Sequence, residues 1–335
     1  MTWLVTGGAG YIGAHVVSAL SAADQRVVVL DDLSTGSLDR VGDAPLVVAS
    51  VHDQRTVAST IRDHSVTGII HLAGKKAVPE SMADPLRYYQ ENVEGLRRLL
   101  AVATDEQVRA FLFSSSAAVY GAPDLQLVTE EAPCRPVNPY GESKLIGEWL
   151  LAAVGRASGL PHLSLRYFNV AGAGSPALAD TTVANLMTQV FSRLERGLPP
   201  LVFGGDHPTP DGTCIRDFVH VADLADAHVA AALALAEGRV VSGVLNIGRG
   251  VGVSVKEVCR LIAETTRETH PAPAPVVVDR RAGDPAQVVG SARRAAEVLG
   301  WTASRDVADM VRSAWAGWRE HHAGPAMAAH AAQAV

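Results

Sequence analysis

A tyrosine and a lysine four positions apart, Tyr140 and Lys144 in the run Tyr-Gly-Glu-Ser-Lys, could do chemistry together. The run follows Asn138-Pro139 at the start of a predicted helix, and residues four apart share one helical face, so phenol and ammonium can point into one cleft. A free tyrosine, with a pKa of about 10, is a poor base at neutral pH. A neighbouring ammonium favours the phenolate and depresses that value, which makes the pair able to take a proton from a hydroxyl. Ser114-Ser115-Ser116, directly after the apolar run Phe111-Leu112-Phe113, adds hydroxyls where that run ends, and Ser116 is the one placed to relay a proton. Alone, such a pair is more often an exposed ion-pairing couple, so its meaning depends on what stands beside it.

What stands beside it is a phosphate cradle. Thr6-Gly7-Gly8-Ala9-Gly10-Tyr11-Ile12-Gly13 follows the first apolar run and opens the first predicted helix. Glycine permits the tight turn, lets backbone approach a pyrophosphate, and lets helix pack on strand. The helix start then offers free N–H groups and a partial positive charge. Asp31 ends the second apolar run roughly 20 residues later, where a carboxylate accepts from both ribose hydroxyls and repels the extra phosphate of NADP. No arginine occurs in Asp32-Leu33-Ser34-Thr35-Gly36 to offset it. The expected cofactor is therefore NAD, whose positive nicotinamide ring favours the Tyr140 phenolate and accepts hydride beside it.

These residues need a scaffold. Trp3–Val5, Val27–Leu30, Leu46–Val48, Ile69-Ile70, Phe111–Phe113 and Leu163–Phe168 are continuous apolar runs, the pattern of strands buried on both faces of a parallel sheet. Helical patterns alternate with them, such as Ile12 to Ala22, Tyr88 to Thr104 and one beginning near Tyr140. The expected fold is α/β, a Rossmann-type doubly wound parallel sheet with a smaller C-terminal lobe. The regularity fails from about Gly172, where Pro199-Pro200, Gly204-Gly205 and His207–Gly212 mark loops. Residues 1–171, with 217–250 returning, are assigned to dinucleotide binding. Residues 172–216 and 251–318 form the substrate lobe, and 320–335 a frayed tail.

Composition narrows the classes. With 335 residues, 48% hydrophobic and 19% charged, the chain can bury a large core. A net charge of −6 gives no general attraction to nucleic acid or an anionic membrane, so an anionic substrate must be held by a few local basic residues. Cys134, Cys214 and Cys259 form no CxxC pair and no zinc spacing, and are read as reduced thiols of a cytoplasmic protein without a metal. The amino terminus lacks the basic start and apolar stretch of a secretory leader, and the Ala-rich run 225–236 is too short to span a bilayer.

Taken together, the chain resembles the extended short-chain dehydrogenases/reductases, and within them the UDP-glucose (UDP-galactose) 4-epimerases. The resemblance runs from Thr2 to about Trp318. It is carried by TGGAGYIG at 6–13, HLAGKKAVPES at 71–81, SSSAAVYG at 114–121, PYGESK at 139–144 and LRYFNVAG at 165–172. PTPDGTCIRDFVHVADLADAH at 208–228 and RRAGDPA at 280–286 extend it into the second lobe. The resemblance implies that Tyr140 is the base, Ser116 assists, and Lys144 also holds the nicotinamide ribose. It implies NAD contacts from Gly7, Gly10, Tyr11, Ile12, Gly13, Asp31, Asp32, Ser34, Thr35, Gly36, His52, Leu72, Ala73, Gly74, Lys76, Asn92, Ser114 and Phe168. For the UDP-sugar it implies Lys76, Ser116, Tyr140, Asn169, Asn185, Leu186, Leu201, Phe203, Arg216, Arg281, Asp284 and Val288. Two arginines suit a diphosphate. The implied reaction is a transient oxidation of a UDP-hexose at carbon 4 to a 4-keto sugar and its reduction from the opposite face. A homodimer formed through the helices following Ser81 and Pro139 is likewise implied.

Two positions depart from the family pattern. Val51-His52 stand where relatives carry an Asp and an apolar residue against adenine, leaving Asp53 as the nearest substitute. Val288 stands where the pocket controls room beside the sugar, and so small a residue leaves space for a 2-acetamido group. Among rivals, a 4,6-dehydratase would carry Asp-Glu where Ala117-Ala118 stand. A UDP-glucuronate 4-epimerase stays open, since nothing shows what meets carbon 6. A non-catalytic NAD-sensing regulator is expected to lack the Tyr/Lys pair.

Overall fold

A computed structural model describes residues 1–281 and 283–322. Strands β1 (Thr2–Thr6), β2 (Arg26–Asp31), β3 (Leu46–Val48), β4 (Gly68–His71), β5 (Ala110–Ser114) and β6 (His162–Tyr167) form the body of one sheet. Strands β7 (Asn169–Ala171), β8 (Leu201–Phe203) and β9 (Ile215–His220) leave it, and β10 (Ser242–Ile247) returns beside β6. The seven strands run β10-β6-β5-β4-β1-β2-β3, all parallel. Since β1 has β2 on one side and β4 on the other, the winding reverses there, and a crevice opens between the loops leaving β1 and β4.

Helices α1 (Tyr11–Ala22), α2 (Gln54–Asp63), α3 (Val78–Ala83), α4 (Pro85–Tyr88), α5 (Gly95–Asp105) and α6 (Pro139–Ser158) belong to the first half. Helices α7 (Leu186–Leu194), α8 (Val221–Ala236), α9 (Val255–Thr266), α10 (Arg293–Leu299) and α11 (Val307–His322) belong to the second. Val16 and Leu20 of α1, Leu224 and Leu235 of α8 and Ala295 of α10 cover one face of the sheet. Val57 and Ile61 of α2, Leu96 and Leu99 of α5 and Leu151 of α6 cover the other. Burial on both faces is why β1, β2, β4 and β5 are apolar without alternation.

The helical pattern expected from Tyr88 to Thr104 contains a π-helical turn, Tyr89–Glu94, between α4 and α5. Such turns recur at functional sites, and this one carries Asn92 against the loop after β4. The segment from Asp217 does not return to the large sheet at once. Strand β7 bends away after β6 and pairs with β9, and β11 (Gly252–Ser254) and β13 (Gln287–Val288) flank β9 in a second sheet. The return is made by α8 and β10. Strand β12 (Val276–Val278) pairs with β8. Over these lies a separate core of α7, α9 and α11, where Phe191 meets Trp315 and Trp318 at 5.1 and 5.9 Å between ring centres. Helix α11 continues through His322, and the rest of the expected tail, 323–335, lies outside the described residues. Among the described residues no helix is long and apolar enough to cross a membrane.

Candidate active site

Helix α6 begins where its sequence dictates. The Asn138 side chain accepts from Gly141 N–H at 2.8 Å and Pro139 occupies the first turn. That start puts Tyr140 and Lys144 on successive turns facing the end of β5, and both are buried. Lys144 Nζ donates to the Ser114 carbonyl at 2.8 Å and lies 5.0 Å from the centre of the Phe113 ring. Ser116 caps the 3-10 turn Ala117–Tyr120, and its hydroxyl lowers the pKa of Tyr140. Phenol, ammonium and serine hydroxyl thus converge at the carboxyl edge of the sheet.

The electrostatics differ from expectation in one respect. Burial raises the pKa of Tyr140, and the Ser116 hydroxyl, not Lys144, is the group that opposes the rise. The reason lies with the lysine. Its ammonium is already engaged with the Ser114 carbonyl, and burial pushes its own pKa down to about 8, with Glu148 pulling upward. Beneath the pair, His71 is held neutral by burial and the nearby Lys144, its pKa lowered to about 3, and its Nδ1 meets Thr6 Oγ1 at 2.7 Å. The Ser114 side chain turns inward to His228 Nε2 at 2.8 Å, so Ser114 offers the cleft no hydroxyl.

The crevice fits a dinucleotide on three grounds. A Cβ on Gly7, at φ +72°, would lie 2.7 Å from Ala73 N, and one on Gly13 would lie 2.0 Å from the Gly7 carbonyl, so only glycine allows this close turn. Helix α1 has no side-chain cap and no acidic residue in its first turn. Its first hydrogen bond runs from Ala14 N–H to Gly10 O, leaving the amides of Tyr11, Ile12 and Gly13 without an intrahelical acceptor and suited to phosphate. Asp31, buried at the end of β2, accepts from Ala9 N–H at 3.0 Å and Leu33 N–H at 2.8 Å, which anchors the glycine turn while leaving further lone pairs for ribose hydroxyls. Gly36 closes against it; a Cβ there would come 3.0 Å from Asp31 Oδ1. Ser34 and Thr35 are exposed on the same loop, and Asp32 turns back to accept from Ser34 N–H at 2.9 Å.

Several expected contacts are engaged within the protein instead. Tyr11 Oη donates to the Gly172 carbonyl at 2.6 Å, so only its backbone faces the crevice. His52 Nε2 lies 3.3 Å from Glu91 Oε2, and Asp53 accepts from Thr56 N–H at 3.1 Å and Thr56 Oγ1 at 2.7 Å as the cap of α2. Asp53, as the cap of α2, keeps further lone pairs, as Asp31 does. The amides of Leu72 and Ala73 both donate to Thr6 O at 3.0 Å. Asn92 accepts from Lys75 N–H at 2.7 Å and donates to Lys75 O at 3.0 Å and Ser143 Oγ at 2.9 Å, while Ser143 Oγ donates to Tyr140 O at 2.8 Å. Asn92 is thus a positioning residue, tying the loop after β4 to α6. It also explains Gly74, where a Cβ would lie 2.8 Å from Asn92 Oδ1. Lys76 stands exposed on that loop.

On the second lobe, Arg216 of β9 pairs with Asp284, and its Nη1 donates to Ile215 O at 2.9 Å. The Arg281 guanidinium lies 3.8 Å above the Phe203 ring. Leu201 and Phe203 are partly buried on β8, and Asn169 is exposed on β7. Asn185 caps α7, accepting from Thr188 N–H at 3.0 Å and donating to Asp180 at 2.9 Å, which leaves the start of Leu186 as the part of that turn free of side-chain capping. Val288 lies opposite Arg216 in register and packs on the cluster of Phe168, Tyr120 and Val119.

Three buried charges escaped the reading of the sequence. Glu148 and Arg166 form an ion pair with contacts of 2.6 and 2.9 Å, both side chains less than a tenth exposed. Their signals were a third residue at four-residue spacing after Tyr140 and Lys144, and a charge inside an apolar strand. Asp217, fully buried, accepts from the amides of Arg249, Gly250 and Gly290 at 2.9, 3.1 and 3.2 Å, holding two loops together.

Comparison with known proteins agrees with this geometry. The model of the NAD dependent epimerase/dehydratase family matches residues 3–248. The chain belongs to that family. It is 46% identical over 317 residues to a UDP-glucose 4-epimerase of Azospirillum brasilense, covering 93% of this chain and 90% of the other. The crystal structure of a UDP-glucose 4-epimerase from Stenotrophomonas maltophila, with bound NAD and formylated UDP-arabinopyranose, superposes with a TM-score of 0.90 at 37% identity, covering 96% of this chain and 99% of that one. A UDP-Glc/GlcNAc 4-epimerase from Campylobacter jejuni gives 0.84 at 34% identity, over 95% and 99% of the two chains.

Burial raises the pKa of Asp217 to about 6, against the pull of the three amides. The folded state therefore binds an extra proton between roughly pH 4 and 6, and this group's contribution to stability is full below pH 4 and lost as pH rises through about 6. Urea unfolding of the wild type and Asp217→Asn should show their stability difference shifting against the wild type by on the order of 2–3 kcal/mol from pH 4 to 7. A difference constant with pH would contradict this.

Proposed function

We propose that this chain interconverts UDP-hexoses differing at carbon 4, UDP-glucose and UDP-galactose, through a transient 4-keto sugar, with NAD as resident cofactor. The observation that carries the reading is the convergence of buried Tyr140, Lys144 and Ser116 at the carboxyl edge of β5, on the same edge as a turn that excludes a Cβ at Gly7 and Gly13. Residues 1–171 and 217–250 serve as the NAD-binding domain, and 172–216 with 251–318 as the UDP-sugar lobe.

NAD would be held by the amides of Tyr11, Ile12 and Gly13, by Asp31 and by Lys144, and would supply a hydride acceptor and a positive charge near the phenol. Tyr140 removes the proton of the 4-hydroxyl, aided by that charge and by the Ser116 hydroxyl. The Lys144 ammonium, fixed on the Ser114 carbonyl, shares the phenol's buried cleft, and the Ser116 hydroxyl opposes the rise that burial gives the phenol's pKa. The proton returns from Tyr140 once carbon 4 has been reduced on its other face. Arg216 and Arg281 grip the diphosphate. Asp284 and Phe203 hold those two guanidiniums in place. Ala117 and Ala118 follow Ser116 without a carboxyl group, so the cleft has nothing there to protonate a leaving 6-hydroxyl.

Val288, small and partly buried beside Arg216, leaves space for a 2-acetamido group, so the substrates include the UDP-N-acetylhexosamines. The protein is a cytoplasmic homodimer. Met82 of α3, Leu86 of α4 and Trp149 of α6 are 62%, 77% and 61% exposed on adjoining helices, an apolar surface suited to a second copy.

Tyr140→Phe should lower kcat at least about a hundredfold while NAD stays bound, read by turnover of UDP-galactose and by the cofactor retained after gel filtration. Incubation with UDP-glucose, UDP-GlcNAc and UDP-glucuronate separately should give product from the first two, and replacing Val288 with Tyr should abolish only the second; no product from UDP-GlcNAc refutes the N-acetyl reading. Sedimentation should find a dimer that Leu86→Glu with Trp149→Glu converts to monomer, and a monomeric wild type would exclude the interface.

A further inference from the structure

Glu148 lies one turn beyond Lys144 on the same face of α6, buried, and no step of the reaction uses it. Its Oε1 accepts from Ser115 Oγ and from Arg166 Nε at 2.9 Å, and its Oε2 from Arg166 Nη2 at 2.6 Å. Arg166 Nη1 donates to Tyr120 Oη at 2.9 Å, and Tyr120 Oη donates to Asn246 Oδ1 at 2.7 Å, so the network crosses from α6 through β6 to β10. A buried ion pair adds little net stability over well-packed apolar residues. Its place here is better explained by what it touches. Ser115 sits between Ser114, whose carbonyl accepts from Lys144, and Ser116, which reaches Tyr140.

We propose that Glu148, held by Arg166 and Ser115, is a positioning residue that locks the Ser114–Ser116 edge under Tyr140 and keeps a carboxylate one helical turn from the Lys144 ammonium. This rests on Tyr140 being the base and Lys144 its supporting cation. The other groups around Lys144 do not replace it. His71 of β4 and His228 of α8 are both kept neutral by burial, and Tyr167 of β6 is held protonated. Arg166 is a cation and supplies no negative charge. Glu148 is the carboxylate among these groups, and it is the group that raises the lysine's proton affinity against burial.

The test is the pH profile of kcat/KM for the NAD-loaded enzyme. In Glu148→Gln the alkaline limb, where Lys144 loses its proton, should move down by about one pH unit. kcat should fall about tenfold with KM nearly unchanged. Ser115→Ala should lower kcat without moving the limb. Should Glu148→Gln fail to fold because Arg166 is left unpaired, the double replacement Glu148→Met with Arg166→Met removes both charges and should move the limb in the same direction. An unmoved limb in every folded Glu148 variant, beside an inactive Tyr140→Phe, would overturn the positioning role alone. Retained turnover in Tyr140→Phe would overturn the assignment of the base and this role with it.

Discussion

Lys144 must hold a full positive charge where burial works against it, and much of the polar interior follows from that constraint. Its ammonium is met by the Ser114 carbonyl and by the face of Phe113, and the carboxylate of Glu148, one turn along α6, favours its charge from farther off. None of these partners would be in reach if α6 began elsewhere. Asn138 and Pro139 set that start, and the end of β5 at Ser114 sets the opposite wall. The tyrosine inherits its place from the lysine's: both ride on the first turns of one helix.

The dinucleotide crevice and this helix are parts of one assembly. The glycine turn after β1 rests on the backbone of Ala73, in the loop that leaves β4. That loop is in turn held by Asn92 from the π-helical turn, and Asn92 also binds Ser143, which donates to the Tyr140 carbonyl. A continuous set of close contacts therefore runs from the glycine turn to Tyr140. It gives the switch point of the sheet its chemical use, because cofactor position and phenol position are set by the same few atoms.

The second lobe is joined to the first by carboxylates that accept backbone amides and by apolar contacts such as Ala295 and Trp301 on the core of the large sheet. Asp217 gathers three amides from two loops, and Asp223 of α8 accepts from Ser304 and Arg305 ahead of α11. Strands β7 and β9 carry Asn169 and Arg216 out to the lobe from the edge of the large sheet, so the two sides of the cleft share one frame. Apolar packing of α7, α9 and α11 then stiffens the far side.

Much of this was legible in the amino-acid order itself. Unalternating apolar runs fix strands buried on both faces, glycines at 7 and 13 admit a backbone approach that no other residue allows, and Asn138-Pro139 starts the helix that puts Tyr140 and Lys144 on one face. All of these are local, set by periodicity, sterics and capping within a few residues. Other features required the tertiary structure, because they depend on partners distant along the chain. Asn92 and Asn185 have side chains suited to ligands, yet capping and loop contacts claim them. The inward turn of Ser114 toward His228 and the Glu148–Arg166 pair join residues 114 and 18 positions apart. Whether the lysine lowers the tyrosine's pKa was likewise decided by burial, which spacing along a helix does not encode.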